Sequence, residues 1–196
     1  MRTSQIEWAG RVFGPAIKSI KFAAALLLCA VAASTAQAGT DNRAPDDVPP
    51  QIAVSSLTNK VSFHGFGVGF QIYTWDGSSW GHVVPDATLF DDEGNVVATH
   101  FAVPSGNPAW QSNSGSRVVG ALPPTAVIVD TNSIPWVRLQ PLTTEGPGVF
   151  ADTTFIQRVH TVGGKAPTTP GSFVGQRAPV AYTADYFFYR HSNDNE

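Results

Sequence analysis

Residues able to do chemistry are few in this chain, and their spacing forms no ready-made constellation. Five histidines, His64, His82, His100, His160 and His191, could ligate a metal or move a proton. No two of them stand at the i, i+2 or i, i+4 spacing by which one strand or one helix turn presents a pair. A site must therefore be assembled across strands. His100 with Arg158 or His160 is the combination that could make a small enzyme or metal-binding protein.

Three glycine-containing stretches invite a mechanistic reading and fail it. Gly77-Ser-Ser79-Trp-Gly81 has the G-x-S-x-G form of a nucleophile elbow, which works where a strand meets a helix and lifts the serine above a parallel sheet. Residues 73–76 before it and 82–85 after it supply no helix, so the stretch reads as a hairpin turn. Gly65-Phe-Gly-Val-Gly69 lacks the spacing and the following helix of a phosphate loop. Gly163-Gly164-Lys165-Ala166 lacks the upstream Gly and the Ser or Thr of a P-loop. Neither points to a nucleotide.

Asp91, Asp92 and Glu93 crowd one turn, where solvation accounts for them. Asp185 is different, because it sits in an aromatic run. Buried there, it needs a partner, and a guanidinium meets a carboxylate at two points, so an Arg158–Asp185 pair is the expected structural salt bridge. Trp136, between Ile134 and Val137, reads as core. Trp80 and Trp110 fall in turn and loop sequence and, with Gln111, read as exposed groups suited to sugar or peptide recognition. The candidate binding residues are thus Trp80, His100, Trp110, Gln111, Arg158 and His160, with no catalytic residue, metal ligand or cofactor assigned.

Positioning these residues falls to β-strands. Residues 149–167 are the segment around which the candidates gather. Ile156, Arg158, His160 and Val162 share one parity and Phe155, Gln157, Val159 and Thr161 the other, so Arg158 and His160 are expected on the same face. Residues 61–75 alternate as a half-buried strand, with 52–54 a possible short strand before them. Residues 87–90 and 95–101 flank Asp91-Asp92-Glu93-Gly94 as a hairpin. Residues 104–115 read as loop, and 116–122 and 126–129 as strands. Pro135 and Pro141 mark 134–142 as an edge or strand end. The aromatic run 181–190 reads as a strand covered on both faces.

After residue 38, apolar residues never repeat at i, i+3, i+4, i+7 over three turns without Pro or Gly intervening. The pattern implies an all-β fold, a single-domain antiparallel β-sandwich or small β-barrel with long loops. The domain is placed at 51–191, with a Pro- and Asp-rich flexible arm at 39–50 before it and a polar tail at 192–196 after it.

Residues 1–38 read as a cleavable export signal. Arg2, Arg11, Lys18 and Lys21 form a basic start, residues 22–33 an apolar core, and Ala36-Gln37-Ala38 a small-x-small cleavage site. The mature protein is expected in the periplasm or outside the cell. No later run approaches the ~20 apolar residues of a stable membrane span. The one cysteine, Cys29, leaves with the signal, so burial must stabilise the fold without disulfides. Removing the basic start makes the mature chain more acidic than the −3 of the whole sequence, and the remaining basic residues are scattered. That distribution excludes a nucleic-acid footprint, which needs a clustered basic face.

Several short stretches together carry a family resemblance: Gln71-Ile-Tyr73, Ala87-Thr-Leu-Phe-Asp91, Pro108-Ala-Trp110, Ile134-Pro-Trp136, Gly146-Pro-Gly148, Gln157-Arg-Val-His-Thr-Val-Gly-Gly-Lys-Ala-Pro167 and Tyr182-Thr-Ala-Asp-Tyr-Phe-Phe-Tyr189. In this order the chain resembles the DUF3455 family of exported bacterial and fungal proteins, whose function is uncharacterised. Relatives place cysteines where this chain has Trp75 and about Gly171, and acids where it has Gln111 and Ser114. The resemblance therefore implies a dispensable disulfide and no transferable chemistry. The expected function is a non-catalytic extracytoplasmic module binding carbohydrate, cell wall or a surface partner.

Overall fold

Short runs of alternating apolar residues build strands throughout residues 44–192, the part of the chain that the computed structural model describes. The expected signal with its Cys29 and the last residues of the tail lie outside it. In chain order the strands are β1 (Asn59–Trp75), β2 (Trp80–Phe90), β3 (Val96–Ala102), β4 (Pro108–Ser112), β5 (Arg117–Gly120), β6 (Thr125–Val127), β7 (Trp136–Leu139), β8 (Pro141–Glu145), β9 (Phe155–Gly163) and β10 (Arg177–His191). All pairings are antiparallel, in the order β6-β7-β9-β10-β1-β2-β3-β4-β5-β8. Among the described residues there is no helix.

The sheet is curled. β7 lies near one end of that order and β8 at the other, yet only Gln140 separates them in sequence. The Ala121 N–H, just past β5, donates to the Gln140 carbonyl at 2.8 Å. A flat sheet could not bring both ends to one residue, and the twist of successive strands supplies the coiling.

β1 and β10 form the spine, in register from Asn59↔His191 to Thr74↔Arg177. On β10, Tyr182, Ala184, Tyr186 and Phe188 face the inside of the curl, while Phe187 and Tyr189 face out beneath Ile52, with Val48 and Val54 packed alongside. Its aromatic run is thus covered on both faces. Ile52 is not in a strand. Its carbonyl accepts from Gln157 Nε2 at 2.9 Å, fastening the N-terminal segment over the outer face of β9. Asp47 and Val48, within the expected arm, belong to this cover.

Inside, Phe63, Trp110, Phe150, Tyr186 and Phe188 are all less than 2 % exposed. Burying each such side chain contributes roughly 1.5–3 kcal/mol, which carries the fold without a disulfide. The glycines of β1 make room for this packing. A Cβ on Gly67 would stand 2.6 Å from Tyr186 Cε2, and one on Gly69 would stand 2.2 Å from the Asp86 carbonyl oxygen. The G-x-G-x-G run is a packing device that lets a ring and a neighbouring backbone come close.

Two further element assignments differ from expectation. Residues 108–112, read as loop because they fall within the Pro-, Ser-, Asn- and Gly-rich stretch 104–115, form β4, because Trp110 and Ser112 alternate inward against β3 and β5. β2 starts at Trp80 rather than near Ala87, so the elbow-like motif is the β1–β2 turn. There the Asp76 N–H donates to the Ser79 carbonyl at 3.1 Å.

Candidate functional site

At His160 the strand β9 breaks its own alternation. Register runs through Arg158↔Tyr186 and Val159↔Asp185 and resumes at Val162↔Thr183, so His160 and Thr161 together oppose Ala184 alone. This is a β-bulge, and His160 holds it with φ at +49°. That left-handed conformation costs a residue bearing a side chain roughly 1–2 kcal/mol. The bulge sends the two side chains apart. Arg158 enters the curl beside Tyr186, whereas His160 lies outside against the edge of Trp136, their rings 4.9 Å apart. Arg158 and His160 do not share a face, because parity counting presumes one residue per partner.

Inside, Arg158 lines an opening of about 100 Å³ with His100, Trp110 and Tyr186; Val137 and Leu139 form apolar wall, and Leu122 and Pro124 stand at its exposed side. β3 and β4 set His100 opposite Trp110, and the rings stack 4.2 Å apart and 4° from parallel. Tyr186 stands edge-on to both. His100 Nδ1 donates to the Ala109 carbonyl at 2.9 Å, so a neutral ring keeps Nε2 as an acceptor. Burial depresses the His100 pKa to about 3, against the pull of that hydrogen bond and with help from the Arg158 charge. The ring is neutral at physiological pH.

The polar groups here are incompletely satisfied. Arg158 Nη2 donates to the Pro135 carbonyl at 2.8 Å, but Arg158 Nε and Trp110 Nε1 are buried without an acceptor. Gln71 Nε2, on β1, is a third such donor. Among the described residues no carboxylate pairs with Arg158. The phenols around it offer no charge: Tyr73 donates to the Gly164 carbonyl at 2.6 Å, and the Tyr182 and Tyr186 hydroxyls are 2.8 Å apart. Burial raises all three phenol pKa values although the guanidinium charge works the other way.

On the outside, acids and histidines alternate in a chain across three strands, the segment before β1 and the β2–β3 turn. Asp47 Oδ1 is 3.0 Å from His160 Nε2, His160 Nδ1 is 2.8 Å from Asp185 Oδ2, Asp185 Oδ1 is 3.0 Å from His64 Nε2, and His64 Nδ1 is 3.6 Å from Asp92. Carboxylates only accept, so both nitrogens of His160 must carry protons and its ring is cationic. Burial opposes that charge, but the bonds to Asp47 and Asp185 outweigh it and raise the His160 pKa. Burial likewise works against ionised Asp185, and the two histidines hold its pKa below the usual value.

The Arg158–Asp185 salt bridge expected from the sequence is therefore not made, because the two side chains leave the sheet on opposite sides. Trp110, expected to be exposed, is 1 % exposed inside the curl. Trp80 is remote from it, packed 5.4 Å from Trp75 with its Nε1 donating to the Thr169 carbonyl at 2.8 Å. Gln111 turns away from Trp110 and donates to the Gly115 and Ser116 carbonyls. Of the six candidates, His100, Trp110 and Arg158 converge, while Trp80, Gln111 and His160 lie elsewhere. Sequence reasoning missed Tyr182 and Tyr186, whose i, i+4 spacing on one parity of β10 was a usable signal. It also missed His64 and Asp47, which carried none. Among the described residues no group of three His, Cys, Asp or Glu has metal-holding geometry.

A family model described as "Protein of unknown function (DUF3455)" matches residues 55–190. No curated protein and no solved structure matches the chain.

Proposed function

The chain belongs to the DUF3455 family, and from its geometry we propose that it is an exported, non-catalytic module that binds a small organic molecule inside the curl of its sheet. One observation carries this reading. Three residues suited to recognition, His100, Trp110 and Arg158, meet at a single opening with apolar walls and an exposed lip at Leu122.

Binding rather than catalysis follows from the groups present. A general base needs a pKa near the working pH, and His100, at about 3, is far too weak. No serine, threonine, cysteine or lysine lines the opening. Trp110 and Trp80 do not form one external platform, which favours a small molecule over a polysaccharide or a cell-wall surface. Export is supported by the basic start, apolar core and Ala36-Gln37-Ala38 of the leader. The Gln140 junction between the sheet's two ends favours a small barrel over a sandwich, and a barrel interior is a natural site for one small ligand.

Thermal-shift measurements against a panel of small neutral, cationic and anionic organic compounds test the proposal. At least one class should raise the melting temperature, and Val137→Phe, which fills the opening, should abolish the shift. A panel without effect, or a shift that survives Val137→Phe, overturns the reading.

A further inference from the structure

Building on that binding site, we infer that its ligand is a small monocarboxylate, held by the Arg158 guanidinium and the Trp110 indole N–H. Arg158 and Trp110 line the same opening, and Arg158 Nε and Trp110 Nε1 are buried with no acceptor in the protein. Leaving a buried donor unmet is costly, and a native interior rarely does it at two residues lining one opening. A single group from outside that accepts from both would satisfy them together.

Charge narrows that group to an anion. The guanidinium is permanently cationic, and nothing facing it on neighbouring strands supplies a counter-charge. His100 on β3 is neutral, Tyr73 on β1 and Tyr182 and Tyr186 on β10 are held in the phenol form, and among the described residues no acid pairs with Arg158. Asp185, the acid adjoining Tyr186 in sequence, is committed to His64 and His160 on the other face.

Shape favours a carboxylate over a phosphate. An opening of about 100 Å³ confines the ligand to a small molecule. A planar carboxylate matches the guanidinium fork, and one cation balances one negative charge. The ligand's remaining body would lie against Val137, Leu139 and Pro108, so it should be short and apolar or a single aromatic ring.

Isothermal titration calorimetry at fixed ionic strength tests the inference with benzoate and propionate against benzamide and propionamide, and with inorganic phosphate. Wild-type protein should bind an acid at least about tenfold more tightly than its amide, the factor expected of a charge-assisted hydrogen bond. Arg158→Met should erase that preference by weakening acid binding much more than amide binding. Arg158→Lys, which keeps the charge and loses the fork, should fall between. Acids and amides binding equally, a preference surviving in Arg158→Met, or phosphate binding more tightly than either acid would overturn the carboxylate assignment. If equal binding is abolished by Val137→Phe, the opening remains the site and only the ligand class is wrong. If no compound binds, the carboxylate assignment fails, and the broader binding reading stands or falls with the thermal-shift panel.

Discussion

Arg158 and His160 stand two residues apart on β9, and each is the cation of its own polar cluster, but the clusters are built on opposite terms. Inside, the guanidinium has no counter-charge, two donors at the opening lack acceptors, and the neighbouring histidine is kept neutral. Outside, the imidazolium faces a carboxylate at each nitrogen, and Asp185 shares its two oxygens between two histidines. A satisfied network is complete within the protein and serves to fasten it. An unsatisfied one is complete only with something added, which is why function is placed at Arg158 and architecture at His160.

The contrast can be broken by mutation. The largest effect is expected at Trp110, whose ring fills the interior against His100, Tyr186 and Phe188. Trp110→Ala should cost about 3–5 kcal/mol in urea unfolding, and a loss below about 1 kcal/mol would show the interior to be loosely packed. Next comes Asp185→Asn, which strips the outer chain of its shared carboxylate. A cost of about 1–3 kcal/mol is expected, and an unchanged melting temperature would dissolve the chain as a structural unit.

Titration separates the clusters by sign. His160 has a folded pKa above its reference of 6.5, so its stabilisation is complete below that value and is lost as pH rises through the folded pKa. His100 is shifted the other way, so its contribution is complete above 6.5 and is lost as pH falls toward about 3. The His100 limb can approach ~1.4 kcal/mol per pH unit, the value for one proton, whereas solvent screening of a His160 side chain 37 % exposed keeps its limb well below that. Denaturation across both windows should show His100→Gln flattening the acid limb and His160→Gln the alkaline one; a swap of these assignments would invert the comparison. The smallest change is expected for Asp47→Asn. Its side chain is 58 % exposed, and the loss should stay within about 0.5 kcal/mol by thermal unfolding.

Much of the strand content was legible because it is written in nearest neighbours. The alternation in β1, the hairpin around Gly94 and the aromatic density of β10 all survive in the structure. β4 was not legible, because it lies within a stretch, 104–115, whose Pro, Ser, Asn and Gly content is that of a loop, and only pairing with β3 and β5 makes it a strand. At the site, His100, Trp110 and Arg158 were recognisable by residue type, but the Asp185 partner was misassigned. The bulge at His160 shifts one face against the other, and no composition rule announces it.

By itself, then, the sequence determined the all-β class, the positions of most strands and the family, because alternation and turn chemistry act over a few residues. Only the tertiary structure decided which side of the sheet each polar group occupies. That choice depends on register between β9 and β10, where one extra residue moves His160 out to the carboxylates and leaves Arg158 inside without one.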